Sequence, residues 1–130
     1  MKFAKRLYLI AGVYGLLVLV PQYFTEAKTG RDYPPAITHP EFYYGFIGAG
    51  VAWQILFLVI SRDPARYRPA MLPAFVEKAT FGIAVIVLYF QQRIPGFLLG
   101  FGVLDLIFGA LFIVAYSKTS PRQESTKAAP

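Results

Sequence analysis

Four stretches of about 20 apolar residues set the terms for everything else in this chain, because a bilayer core of roughly 30 Å is crossed by a helix of that length. They run over about 3–24, 42–61, 71–92 and 94–117. The first is uncharged from Leu7 to Thr25, and the second carries no charge. The third is interrupted by Glu77 and Lys78, the fourth by Asp105. Each is a continuous apolar run rather than an amphipathic stripe, as expected where lipid replaces water. With 56% apolar residues, 15% charged residues and a mean hydropathy of +0.49 in 130 residues, a water-soluble enzyme or nucleic-acid-binding domain is the wrong class. The reading is an all-α, integral membrane domain over 1–117, an antiparallel four-helix bundle. A disordered cytoplasmic tail is expected over 118–130.

Punctuation agrees with these limits. Thr38-His39-Pro40-Glu41 reads as a helix start, with proline in the first turn and a Thr-x-x-Glu capping box. Pro73 and Pro95 open spans three and four, and Arg62-Asp63-Pro64 closes span two. Pro21 predicts a kink with a ragged continuation to Phe24. The connection from Thr25 to Glu41 reads as irregular, a simple connector or a lid over one end of the bundle. The Gln91–Pro95 turn makes spans three and four antiparallel neighbours.

Basic residues predict the orientation. Lys2, Lys5, Arg6, Arg62, Arg66, Arg68, Lys118, Arg122 and Lys127 fall on one side; Lys28, Arg31 and Arg93 fall on the other. Both termini are therefore expected in the cytoplasm. The net charge of +6 is a topology signal and an attraction to anionic lipid, and no nucleic-acid partner is expected. Tyr23, Phe24, Phe42, Tyr43, Tyr44, Tyr89, Phe90 and Phe97 gather at the predicted outer ends, where amphipathic rings prefer to lie. A cleavable signal over 1–27 loses to this reading, because the bulky Tyr23-Phe24 flank suits a cleavage site poorly.

Small residues mark where helices touch. In span two Gly45, Gly48, Ala49, Ala52 and Leu56 share one face, and in span four Gly102, Asp105 and Gly109 do; Gly12 and Gly15 suggest a weaker seam in span one. Such strips read as packing seams.

Ionisable groups at membrane depth cost roughly 2.5–3.5 kcal/mol each on insertion, so each calls for a partner or a purpose. Asp105, halfway along span four on its glycine face, points into the bundle as a ligand anchor or as a pin between helices. Glu77 shares a face with Thr80, Ala84 and Gln91, read as the interior side. Lys78, about 100° away, is expected to snorkel to the headgroups, its other option being to reach inward to Asp105. Trp53 and Gln54 lie near the depth of Glu77, and Tyr14 near that of Asp105. A ligand-binding polar layer of Tyr14, Gln54, Glu77 and Asp105, with Lys78 and Trp53 beside it, is the candidate site. Against it stands the position of Gln54 and Gly50, opposite the small-residue strip of span two. Both faces are buried only if one meets a neighbouring subunit.

No catalytic residue, metal or cofactor is assigned. His39 and Glu41 need a third ligand such as Asp32 or Glu26 to hold a metal, and capping accounts for Glu41. Without cysteine and with one histidine, the chain offers no thiolate centre and no bis-histidine haem site.

The four short spans, the loop Arg62-Asp63-Pro64-Ala65-Arg66-Tyr67-Arg68 and the stretch Gly102-Val103-Leu104-Asp105-Leu106-Ile107-Phe108-Gly109 resemble the DoxX-like superfamily of small bacterial four-helix membrane proteins. Its named members are tied to quinol oxidation. The resemblance implies an accessory or scaffold protein of the bacterial inner membrane without catalysis of its own; the bundle itself is expected to pack as a homodimer or against a larger membrane partner. A binder or carrier of a small quinone-like lipophilic molecule is the alternative, and an acid–base enzyme acting on a lipid is the third. Small multidrug transporters also have four spans, but their first-helix glutamate has no counterpart in span one.

Overall fold

The computed structural model describes residues 2–122, and among these there is helix but no strand. Four helical stretches are long and apolar enough to cross a membrane: Lys2–Phe24, Pro40–Arg62, Arg68–Phe90 and Phe97–Lys118. In the first, α1 (Lys2–Leu19) tightens into a 3₁₀ turn over Val20–Phe24. The change falls at Pro21, which has no N–H to continue the α pattern. Gln22 Nε2 donates to Val18 O at 3.0 Å beside this break.

The connection that follows is more ordered than its sequence suggested. A seven-residue helix, α2 (Glu26–Asp32), occupies it, followed by a cis Pro34–Pro35 peptide. Helix α3 (Pro40–Arg62) begins at the expected proline, but the expected capping box does not form. His39, not Thr38, is the N-cap residue, and no side chain caps the helix; the first turn closes on His39 O. Helix α4 (Met71–Phe90) is preceded by a 3₁₀ turn over Arg68–Ala70. Arg68 lies 3.7 Å from the centre of the Tyr116 ring and donates to Tyr116 O, tying this turn to the end of α5 (Phe97–Lys118). Helix α5 thus outruns the predicted start of the tail by one residue. Thr119 beyond it is buried, and Arg122 sits 3.2 Å from Asp63. Residues 123–130, and with them Lys127, lie outside the described residues.

Helix α1 packs chiefly on α3 and α4 chiefly on α5. Each pair closes on glycines. A Cβ at Gly15 would collide with the Gln54 side chain, and one at Gly82 would stand 2.8 Å from Gly102 O. Where lipid is as apolar as the side chains, close backbone approach of this kind substitutes for the hydrophobic drive. The small-residue strip of α3 is not such a seam within the chain. Gly45, Ala49 and Ala52 are exposed, with open space at Gly45, while Gly50 and Gln54 face α1.

The packed core occupies the half of the molecule next to the chain ends. Tyr8 stacks on Phe112 at 4.3 Å, Phe57 meets Phe112 edge-on at 5.1 Å, and Ala4, Ala11, Ile60, Met71, Ala74 and Ala115 fill between them. Outward, the long helices present large apolar side chains, with Leu17 72% and Phe90 78% exposed, a surface that suits lipid and not water.

Candidate functional site

Above the packed half the helices part around a cavity of about 600 Å³, within the range of small-molecule sites. Tyr14 of α1, Gln54 of α3, Glu77 and Lys78 of α4 and Asp105 of α5 all line it. These five lie at its deep end, next to the core residues Ala11, Phe57, Ala74 and Phe108. The sixth candidate, Trp53, does not line the cavity and packs against the core instead.

The floor is an ionic cluster. Lys78 Nζ lies 3.2 Å from Asp105 Oδ1 and 3.7 Å from Glu77 Oε2, and it stands 5.3 Å and 5.8 Å from the ring centres of Phe57 and Phe108. Its side chain is only 4% exposed, so the expected snorkelling does not occur. The reason is the face on which Lys78 sits. Met71, Ala74, Lys78, Gly82 and Val85 form the buried side of α4, and Gly82, one turn on from Lys78, brings that side against Gly102 and Leu106 of α5. Gly109 faces Lys78 Cβ across the interface.

The interior face proposed for α4 is likewise displaced. Thr80, Ala84 and Gln91 are exposed, and Glu77 stands at the edge of the buried side with 19% of its side chain accessible. Thr80 satisfies its hydroxyl on Val76 O and Glu77 O of its own helix, which lets it face outward. The 100° between Glu77 and Lys78 does not keep their head groups apart, because both side chains are long enough to converge.

Two oxygens in this layer lack a hydrogen-bond donor among the described residues, Glu77 Oε2 and Gln54 Oε1, although both are buried. Gln54 Nε2 is occupied by Gly50 O at 3.1 Å. Tyr14 completes the layer and leans on Phe108 at 5.8 Å. The sequence-based objection to Gln54 is thereby answered in geometry: the Gly50–Gln54 face is an inner one, and Gly45, Ala49 and Ala52 of the small-residue strip face away, while Gly48 lies beside Tyr23 and Leu56 packs on the core.

The walls are apolar. Val18, Leu19, Phe46, Phe81, Leu98 and Phe101 line the cavity above the floor, with Phe46 stacked on Phe81 at 6.1 Å between α3 and α4. From Asp105 to Phe97 the depth is roughly 12 Å at 1.5 Å per helical residue. At the mouth stand Gln22, Thr29, Tyr33, Pro95 and Phe97. These were not among the sequence candidates. Aromatic residues at helix ends carry the signal of an interfacial belt, and nothing in the spacing of Thr29 and Tyr33 sets them apart from a connector.

Helix α2 places Thr29 and Tyr33 there and is fastened on three sides. Tyr33 stacks on Phe97 at 4.9 Å, Tyr44 Oη donates to Glu26 Oε2 at 2.8 Å, and Tyr43 Oη donates to Gln22 O at 2.7 Å. Lys28 pairs with Asp32 one turn on, and that hydrogen bond raises the lysine above its ordinary pKa. His39 and Glu41 do meet, at 3.4 Å. Glu26 and Asp32 are engaged elsewhere, and among the described residues no third ligand joins the pair. No protein-family model matches the chain, and neither a curated protein nor a solved structure matches it.

Proposed function

We propose that this is a multi-pass protein of the bacterial inner membrane that holds a small lipophilic molecule between its spans. One observation carries the reading: polar side chains from four helices converge on the floor of an otherwise apolar cavity, and the Glu77 side chain, which lines it and stays 19% accessible, accepts no hydrogen bond among the described residues. A purely structural ion pair needs neither the space nor the spare acceptors. The distribution of basic residues supports an antiparallel four-helix bundle with both termini in the cytoplasm. The cavity mouth then opens toward the outer leaflet.

The DoxX-like accessory reading draws on a separate observation, the outward small-residue strip of α3, which leaves a face for a second copy or a larger partner. One experiment separates the two. Native mass spectrometry in mild detergent is expected to find a discrete small molecule on the wild type. Val18→Trp, which fills the cavity from its wall, is expected to lose it while remaining folded. A wild type carrying only bulk phospholipid, as a defined oligomer, favours the accessory reading and sinks the binder.

A further inference from the structure

Donors and acceptors on the cavity floor do not balance. Lys78 brings three N–H groups, of which Asp105 accepts one at 3.2 Å and Glu77 lies at 3.7 Å. The amide of Gln54 donates to Gly50 O and that of Gln22 to Val18 O, so neither offers that bond to an occupant. Two carboxylates present four oxygens and Gln54 a fifth. Glu77 Oε2 and Gln54 Oε1 have no donor among the described residues but are closed off, Gln54 Oε1 against Gly15; the acceptors that keep access to the cavity belong to Glu77, 19% accessible and accepting no hydrogen bond among the described residues, and to Asp105, 12% accessible and accepting one. On the donor side stand the two Lys78 N–H groups that Asp105 does not take and the Tyr14 hydroxyl, which can equally accept: three donors against five oxygens with two lone pairs each. The surplus is in lone pairs. Charge runs the same way, with two acids to one base around the same point.

The side chains above the floor reinforce this. Phe46, Phe81 and Phe101 present aromatic rings, whose faces attract cations and whose edges pack an alkyl tail. A ketone or quinone head brings acceptors to a floor already rich in them. A fatty acid brings a third carboxylate.

We propose that the occupant is a lipophilic cation whose head donates hydrogen bonds, an alkylammonium or alkylamidinium. Its N–H groups take the vacant lone pairs of Glu77 and the floor beside it, and its tail lies between the aromatic walls toward the mouth. This rests on the reading that the cavity holds a lipophilic molecule, and it adds the chemical class of the head.

The test uses the full chain in phosphatidylcholine nanodiscs, with radiolabelled dodecylamine as probe and empty nanodiscs subtracted for partitioning. Unlabelled dodecylamine, dodecanol, dodecanoate and a decyl-substituted benzoquinone compete. Dodecylamine is expected to bind saturably, with each rival at least about tenfold weaker, the value of one buried charge-assisted hydrogen bond. Glu77→Gln is expected to weaken dodecylamine by about tenfold and dodecanol much less, a pattern that general loosening of the cavity would not produce. A rival that binds as tightly as the amine overturns the head-group assignment and leaves the cavity reading standing. Undiminished amine binding to Glu77→Gln does the same. If no probe binds saturably, the assignment falls, and wild-type native mass spectra free of small molecules would bring down the cavity reading with it. The competition series on wild type decides the head-group question even if Glu77→Gln fails to fold.

Discussion

Lys78 is enclosed by two carboxylates and two aromatic rings, and its surroundings define how the deep end of the cavity is held. Removing Asp105 strands the ammonium beside a more distant, edge-placed Glu77. Asp105→Leu is therefore expected to cost about 3–5 kcal/mol, the usual result of breaking one half of a buried pair. Lys78→Met with Asp105→Leu takes out both charges and is expected to recover most of that loss. Thermal melts of the two variants beside wild type in one detergent check this, and equal losses in single and double variants would refute the pairing. Asp105→Asn keeps shape and hydrogen bonding, and it is expected to fall between wild type and Asp105→Leu.

At the scale of elements, the turn between α4 and α5 sets how those helices meet. Gln92 N donates to Tyr89 O and Arg93 N to Leu88 O, the paired bonds of a Schellman end, with Gln92 at φ 57° in the position glycine usually fills. Gln92→Gly is expected to stabilise the protein by about 1 kcal/mol, since the left-handed conformation strains a side chain with a Cβ. A melting temperature at or below wild type would count against it. The elements were largely legible beforehand. Apolar run length and the prolines at 21, 40 and 73 located the long helices to within a few residues, because lipid forces every backbone group into helix. Which face turns inward was harder to read. Polarity alone pointed to Glu77 and Thr80 as the inner side of α4, whereas Ala74 and Gly82 flanking Lys78 carried the deciding signal. In α3, Gly45, Ala49 and Ala52 of a strip read as a seam turned out to face away from the bundle, while two glycines of α1 and the single Gly50 did the packing. Spacing within one helix says which residues share a face, and only the neighbouring helix says where that face goes. The short helix α2 lay beyond reach because its order comes from Tyr33, Tyr43 and Tyr44 bonding and stacking across elements.

For the whole molecule, the absence of native cysteine makes the orientation directly testable. Arg66→Cys, in the turn before α4, and Arg31→Cys, in α2, fall on opposite sides of the proposed topology. In intact cells with a permeable outer membrane, a membrane-impermeant maleimide is expected to label the α2 position at once and the α4-proximal position only after lysis. The reverse pattern would invert the protein in the membrane. The division into a solid half and a hollow half has a consequence of its own. The Tyr8–Phe112–Phe57 stack is a stopper between the cavity and the side where the chain ends lie. Passage between the cavity and that side requires those rings to unstack. In this conformation the cavity is a cup and not a conduit, open at one end and closed by aromatic rings at the other.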